Sequence, residues 1–303
     1  MPADLQLEVV HETHYDYSAP VSLAHHLAHL KPLADGQQEL LQFGLQIEPA
    51  PDRQNEASDV LGNTCCWFSL SRPHRSLRVR TVSRVALSPR FVALDAAASK
   101  PWEEVARPLR YVACAAFDPA VEFTLPSPFV PRLEELRDYG LRSFPPGRPV
   151  VQGALELMQR IHADFAYESE STDIDTPLAE AFAHKRGVCQ DFAHVMAGTL
   201  RMLGLPARYV SGYLLTQAPG HGAAMVGADA SHAWVQAYCP TTPGVGADGW
   251  LDLDPTNNLV PGSSHVRLAV GRDFGDVTPL RGVIRGGGRH TLAVDVRTRV
   301  LHA

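Results

Sequence analysis

A change in hydrophobic periodicity near residue 100 constrains the fold more than any other feature of this sequence. Before it, apolar residues occupy every second position in three runs, for example Leu5, Leu7 and Val9, which is typical of strands with one buried face. After it, apolar residues recur at helical spacing over 102–111, 132–141 and 150–165. We therefore predict an α+β chain. An antiparallel, β-sandwich-like domain covers residues 1–100 and a second domain covers residues 101–284.

The end of the chain returns to strict alternation, which predicts a last strand. Its two faces hold Leu292, Val294, Val296 and Val300, and Asp295, Arg297 and Arg299. We expect residues 285–303 to complete the N-terminal sheet. The glycines at 286–288 precede this strand rather than a helix, so they predict a tight hairpin loop and not a phosphate cradle.

Charge and hydropathy exclude several classes of partner. The chain holds 27 basic and 33 acidic residues with no block of like charge, which argues against nucleic acid as a partner. Residues 1–20 lack the apolar run of a secretory signal, and no stretch reaches the roughly 20 apolar residues that cross a bilayer. We expect a soluble cytoplasmic protein without a membrane partner. Its oligomeric state stays open.

The segment 186–192 opens a predicted helix with Cys189 in its first turn. Gly204 and Pro206 end this helix. The apolar residues that recur at helical spacing along it are Phe192, Val195, Met196, Leu200 and Leu203. At a helix start, unpaired backbone N–H groups and the positive end of the helix dipole favour a thiolate. The same N–H groups could stabilise the oxyanion that forms when the thiolate attacks an amide carbonyl.

Two predicted strands over 231–238 and 249–254 form a hairpin that follows this helix. On period-two alternation, His232, Trp234, Gln236 and Tyr238 share a face of the first strand, and Trp250, Asp252 and Asp254 share a face of the second. A carboxylate on the second strand could hold one ring nitrogen of His232 and leave the other for a cysteine. Alternation alone leaves both Asp252 and Asp254 as candidates.

Four blocks of this region resemble the bacterial transglutaminase-like superfamily. They are GVCQDFA at 187–193, GLPARYVSGY at 204–213, SHAWV at 231–235 and GWLDLDPTN at 249–257. The resemblance implies a papain-like core, in which a helix bearing the cysteine packs on an antiparallel sheet. It also implies a catalytic triad of Cys189, His232 and Asp254, since the Asp-Pro-Thr at 254–256 favours Asp254 over Asp252.

Segments outside the core also resemble bacterial members of the superfamily. Residues 11–21 with Gly62-Asn63 are similar to their N-terminal β domain, and residues 271–283 to their closing segment. Further candidates for substrate binding are Gln190, Asp191, Tyr213, Trp234, Arg272 and Asp273. For Arg272 and Asp273 the alternative is a brace at the domain junction. The glycine- and alanine-rich stretch 217–230 is either a mobile lid over the cleft or a slack loop.

Cysteines and histidines outside the predicted triad indicate no further site. The five cysteines are odd in number and no C-x-x-C pair is present, which favours reduced thiols over disulfides and argues against structural zinc on cysteine. Cys65, Cys66 and Cys239 are interpreted as structural or incidental. His25, His26 and His29 have no acidic residue near them in the sequence, so no metal and no cofactor is predicted.

These observations predict a thiol-dependent hydrolase that cleaves an amide, peptide or isopeptide bond through an acyl-enzyme on Cys189. Its substrate would be a peptide, an amide or a protein. Acyl transfer to an amine uses the same triad and is the first alternative. Hydrolysis is favoured because neither an aromatic set for an acceptor tunnel nor an acidic calcium-binding loop is identifiable. A non-catalytic interaction module is the alternative of another class.

Overall fold

Strands form both ends of the chain, and helices with a second, smaller sheet form its middle. The computed structural model describes residues 5–114, 117–168, 172–215, 225–226 and 231–302. The strands are β1 (Leu5–Ala28), β2 (Gln38–Glu48), β3 (Arg53–Ser58), β4 (Thr64–Leu70), β5 (His74–Leu87), β6 (Ala166–Tyr167), β7 (Arg186–Gly187), β8 (Ala207–Leu214), β9 (His232–Tyr238), β10 (Trp250–Leu253), β11 (His265–Gly271), β12 (Leu280–Gly286) and β13 (His290–His302). The helices are α1 (Trp102–Ala106), α2 (Glu134–Leu141), α3 (Val150–Asp164), α4 (Leu178–His184), α5 (Cys189–Met202) and α6 (Phe274–Val277). Among the described residues, no helix combines the length and the low polarity of a transmembrane span.

The N-terminal domain is an antiparallel sheet organised around the long strand β1. The first half of β1 lies between β5 and β13, and its second half lies between β4 and β12. The last two strands of the chain therefore belong to the N-terminal sheet, which they join at Leu280 rather than at residue 285. One face of β1, with Leu5, Leu7 and Val9, packs against Tyr213 of the second domain.

The second domain encloses α5 between a sheet and three helices. The sheet is antiparallel, in the order β10-β9-β8-β11. Residues 190–201 of α5 are all buried, and a helix buried on every face needs neighbours on every face. The sheet contacts it through β8 and β9, and α2, α3 and α4 cover the rest. At Gly198 a Cβ would lie 2.8 Å from Leu136 of α2, so glycine permits this close approach. The enclosed helix holds Cys189 beside the sheet that carries His232.

The helix predicted over 102–111 is wrong in length. α1 ends at Ala106 and a 3₁₀ turn continues to Leu109. Pro108 explains the change, because proline has no N–H to donate within an α-helix and its ring clashes with the preceding turn. Arg110 instead donates its N–H to the carbonyl of Arg107 at 3.3 Å. The helices predicted over 132–141 and 150–165 are present as α2 and α3.

A buried polar network joins the two domains beside β11. Arg267 donates to Asp252 Oδ2 through Nε at 3.2 Å and to Asp35 Oδ2 of the N-terminal domain at 2.9 Å. Gln38 bonds the backbone N–H and carbonyl of Arg267 at 2.9 and 2.8 Å. These bonds fix the N-terminal sheet against the core sheet.

Candidate active site

Cys189 is held by the turn that precedes α5. The Asp191 carboxylate accepts from the Val188 N–H at 2.8 Å and from the Thr172 hydroxyl at 2.7 Å. A Cβ on Gly187 would lie 2.4 Å from Asp191 Oδ2, so the carboxylate can fold back only because residue 187 is glycine. Asp191, predicted to bind substrate, is a buried anchor of the Cys189 turn.

His232 and Asp254 form a buried pair on the hairpin of β9 and β10. Nε2 of His232 lies 2.9 Å from Asp254 Oδ2, and both side chains are fully buried. Asp254 Oδ1 accepts the N–H groups of Thr256 and Asn257 at 2.9 and 3.1 Å, and Asn257 Nδ2 donates to Oδ2 at 2.9 Å. This carboxylate is held from several directions, so it fixes the orientation of the His232 ring.

The free ring nitrogen of His232 is left for Cys189. Nδ1 is buried and has no hydrogen-bond partner within the described part of the chain. Burial by itself lowers the His232 pKa, but the charge and hydrogen bond of Asp254, together with the nearby Cys189 sulfur, raise it to about 10. A histidine with a raised pKa stabilises the fold below its unfolded pKa. That contribution is lost as pH rises through about 10.

Of the two candidate carboxylates, Asp254 is the one beside His232. Asp252 accepts from Trp234 Nε1 at 3.2 Å and pairs with Arg267. β10 ends at Leu253, and the turn that begins at Asp254 brings its carboxylate towards His232. Asp252 remains within β10 and serves the junction network.

The two domains together enclose a cavity of about 410 Å³ over Cys189 and His232. Gln190, Tyr209 and Ser211 line it from the core. The N-terminal sheet forms the opposite wall with His11, Thr13, Tyr15, Leu292 and Val294. This wall was not predicted from the sequence. Strand alternation alone does not indicate which face of β1 packs over which part of the core.

His265 shares Asp254 with His232, and it was also missed from the sequence. Its Nε2 lies 3.1 Å from Asp254 Oδ2 and its Nδ1 lies 3.0 Å from Ser264 Oγ. The ring packs edge-on against Trp234, with centroids 5.1 Å apart. Burial lowers the pKa of His265 although Asp254 opposes this, so the neutral ring donates one hydrogen bond to the carboxylate. β10 and β11 lie at opposite edges of the sheet, so no simple strand pairing indicates this contact.

We expect His265→Phe to raise the His232 pKa further. Without the His265 hydrogen bond the Asp254 carboxylate becomes more basic and stabilises the imidazolium more strongly, by about 1.5 kcal/mol for a hydrogen bond to a charged group. NMR titration of the His232 ring measures the change. His265→Gln keeps an N–H donor and should give a smaller rise. A lowered His232 pKa in His265→Phe would contradict the assignment.

Of the other residues predicted to bind substrate, Gln190 lines the cavity, whereas Trp234 and Tyr213 do not. The Nε2 of Gln190 donates to the Ile174 carbonyl at 3.1 Å. Trp234 and Tyr213 are fully buried, and the Tyr213 hydroxyl bonds His11 Nδ1 at 2.9 Å. Protein encloses both side chains, so the structure places them behind the described cavity wall and not on it.

Arg272 and Asp273 contact neighbouring segments rather than the cavity. Arg272 Nε donates to Asp276 Oδ2 at 2.9 Å. Asp273 begins α6 by accepting from the Gly275 N–H at 2.8 Å, and it accepts from the Phe129 N–H at 2.9 Å. These contacts lie within the second domain, so they match neither a lining of this cavity nor a brace between the two domains. The lid predicted over 217–230 lies outside the described residues except at 225–226.

Comparisons with known proteins cover most of the chain. Residues 7–86 match the bacterial transglutaminase-like N-terminal region, and residues 145–255 match the transglutaminase-like superfamily. An uncharacterized protein of Mycobacterium tuberculosis is 38% identical over 295 residues, which cover 97% of this chain and 91% of that protein. A protein-glutamine gamma-glutamyltransferase of Pseudomonas aeruginosa is 35% identical over 109 residues, 35% of this chain and 15% of that protein.

One solved structure has the fold of the whole chain. It is the crystal structure of a proposed cysteine protease from Cytophaga hutchinsonii, with a TM-score of 0.72 and 20% identity over 99% of this chain and 92% of that one. The N-terminal sheet and the core therefore occur together in another protein, in the same overall arrangement.

Proposed function

Since the chain belongs to the transglutaminase-like superfamily, we propose that it is a thiol hydrolase of amide, peptide or isopeptide bonds, with Cys189 as nucleophile, His232 as acid and base, and Asp254 as the residue that orients His232. The observation that carries this proposal is the buried His232, bonded to Asp254 at 2.9 Å and facing Cys189 in a cavity between the domains. A nucleophile, a base and an orienting group are thereby adjacent.

In the first step the Cys189 sulfur attacks the carbonyl carbon of the substrate. The raised pKa of His232 keeps its ring protonated near neutral pH, next to the sulfur. The tetrahedral intermediate collapses as His232 Nδ1 gives its proton to the leaving nitrogen, so an amine departs and a thioester forms on Cys189. In this proposal, backbone N–H groups in the first turn of α5 stabilise the oxyanion.

In the second step water attacks the thioester. His232, now neutral, takes a proton from the water through Nδ1 while the hydroxide adds to the acyl carbon. The Cys189 sulfur leaves, a carboxylic acid is released, and the protonated His232 again faces the sulfur. Asp254 stabilises the imidazolium in each half of the cycle and keeps its own charge, as its pKa is lowered: burial raises it, but His232 and His265 outweigh burial.

One experiment tests hydrolysis on an unknown substrate. A peptide digest of a protein mixture is incubated with the chain in water enriched in heavy oxygen, together with a labelled primary amine. Hydrolysis places heavy oxygen in new carboxyl groups, whereas transfer places the label in new amides, and mass spectrometry separates the two. We expect heavy-oxygen products in excess. An excess of amine-labelled products would overturn hydrolysis in favour of transfer.

Amine transfer is the second candidate, and a specific observation favours it. The Pseudomonas aeruginosa relative that is 35% identical over 109 residues is named a protein-glutamine gamma-glutamyltransferase. Transfer would use the same thioester on Cys189, with an amine in place of water in the second step. A glutamine-containing peptide offered with the labelled amine is the direct test of this candidate.

A further inference from the structure

A second cluster of ligand-type side chains lies in the N-terminal domain, away from the candidate active site. His29 follows the end of β1, Asp59 lies in the turn between β3 and β4, and Cys65 lies in β4. Nε2 of His29 is 3.1 Å from Cys65 Sγ and 4.0 Å from Asp59 Oδ2. One ligand atom from each residue lies within 4.8 Å of the other two. Asp59 is 30 residues from His29 in the chain, so this acidic partner was not predicted from the sequence.

The contacts around His29 hold it in the form that a metal requires. Its Nδ1 lies 3.1 Å from the Thr278 carbonyl, and a carbonyl can only accept, so Nδ1 carries the proton. Nε2 therefore presents a lone pair towards Cys65 and Asp59. A histidine that donates its other N–H to a backbone carbonyl is the arrangement usual for metal-bound imidazole.

Asp59 and Cys65 complete a mixed ligand set. Asp59 Oδ1 accepts the N–H groups of Leu61 and Asn63, each at 2.8 Å, and Oδ2 accepts from Asn63 Nδ2 at 2.8 Å. These bonds fix the carboxylate and still leave Oδ2 a lone pair. Cys65 is a free thiol, 4% exposed. Nitrogen, sulfur and oxygen donors in one set are those that zinc binds in proteins.

A cavity gives this cluster access to solvent and room for another ligand. It has a volume of about 650 Å³ and lies between the hairpin of β3 and β4 and the segments at 117–123 and 272–281. His29, Asp59 and Cys65 all line it. The charged side chains that share it, Glu122, Asp276, Arg208, Arg272 and Arg281, carry both signs. The Arg272 guanidinium is already bonded to Asp276.

We propose that His29, Asp59 and Cys65 bind a zinc-type divalent cation, with a fourth position open to this cavity. Ligand atoms of a tetrahedral zinc lie roughly 3.5 Å apart, so the 3.1 and 4.0 Å separations here need adjustments of about half an ångström. Binding displaces the thiol proton to solvent and replaces the contact between Cys65 and His29 by two bonds to the metal. The site lies on the Thr278 side of the active-site cavity, which Thr278 also lines.

Cobalt(II) is the probe that tests the site, because a thiolate bound to cobalt gives a charge-transfer absorption. The titration uses the full chain as Cys189→Ala, which removes the other thiol that faces a histidine. The matched pair is Cys65→Ser and Cys66→Ser on that background. Cys66 is the next residue of the same strand and packs in the core of the N-terminal domain. We expect the absorption in the parent and in Cys66→Ser, and its loss in Cys65→Ser.

Two further measurements test the metal site even if Cys65→Ser folds poorly. Asp59→Asn, which retains most of the turn's hydrogen bonds, should move the titration to higher cobalt concentration. Zinc should raise the Tm of Cys66→Ser, since a ligand of the folded state stabilises it. Absorption that persists in Cys65→Ser, an unchanged titration in Asp59→Asn, or no absorption from the parent at saturating cobalt would each overturn the site.

Discussion

Cys189→Ala is expected to abolish the heavy-oxygen products, with kcat/KM lower by about 10⁴- to 10⁶-fold, the scale found when a covalent nucleophile is removed. Alanine cannot form the thioester, and nothing else in the described cavity replaces it. Cys189 is the cavity's single cysteine among the described lining residues, and the neighbouring Tyr209 hydroxyl has a pKa raised by burial. Mass spectrometry of the products from wild type and variant measures the loss.

Cys114→Ala is the matched control for that loss. Cys114 is an exposed free thiol and does not line the active-site cavity, so its replacement should leave the products unchanged. Alkylation at mildly acidic pH adds an independent readout, because a thiolate beside a protonated imidazole reacts while an ordinary thiol reacts slowly. If Cys189 alkylated no faster than Cys114 and Cys189→Ala retained its products, the non-catalytic module would be the better hypothesis.

Some features of the candidate site are predicted by residue patterns within single helices and strands, whereas others depend on how these elements pack together. Cys189 at a helix start and His232 on a strand follow from helical spacing, end signals and alternation over short windows. These windows also predict the hairpin of β9 and β10, because the turn between the strands is local. The elements that carry Cys189 and His232 therefore follow from the amino-acid sequence alone.

Strand alternation does not distinguish Asp252 from Asp254 as the carboxylate that contacts His232. Both carboxylates fall on one predicted face, and the strand stops between them at Leu253. Strand boundaries are the least reliable part of any pattern argument, and here a single residue decides which carboxylate turns towards His232. Resemblance to the superfamily favoured Asp254, whereas the residue pattern did not.

Contacts between distant segments could not be predicted from the sequence for a different reason. His11 lines the cavity because the first half of β1 packs on the core, and His265 contacts Asp254 although β10 and β11 are opposite edges of the sheet. Each contact depends on the docking of whole elements, which periodicity does not encode. The same holds for His29 and Cys65, which only the pairing of β1 with β4 in the N-terminal sheet brings together.

The second large effect is expected from Asp254→Asn. Asparagine can still bond His232, but it removes the charge that outweighs burial and raises the His232 pKa. The His232 pKa should then fall below its ordinary value, so a neutral ring faces Cys189 at neutral pH. We expect kcat/KM to fall by about 10²- to 10⁴-fold, as in other triads that lose their carboxylate. The same product assay measures the rate, and NMR titration of His232 measures the lowered pKa.

Asp252→Asn is the matched variant, since the two carboxylates lie two residues apart and are almost fully buried. Asp252 pairs with Arg267, which keeps Asp35 as a second partner. Its loss should lower the free energy of unfolding by about 1–3 kcal/mol through a partly unpaired buried guanidinium, as measured by urea titration. The His232 pKa should stay raised, because Asp254 is intact in this variant. We therefore expect kcat/KM to change by less than about threefold, which corresponds to a ΔΔG‡ under about 0.7 kcal/mol. The reverse pattern, with Asp252→Asn inactive and Asp254→Asn active, would show that Asp252 orients the histidine in solution.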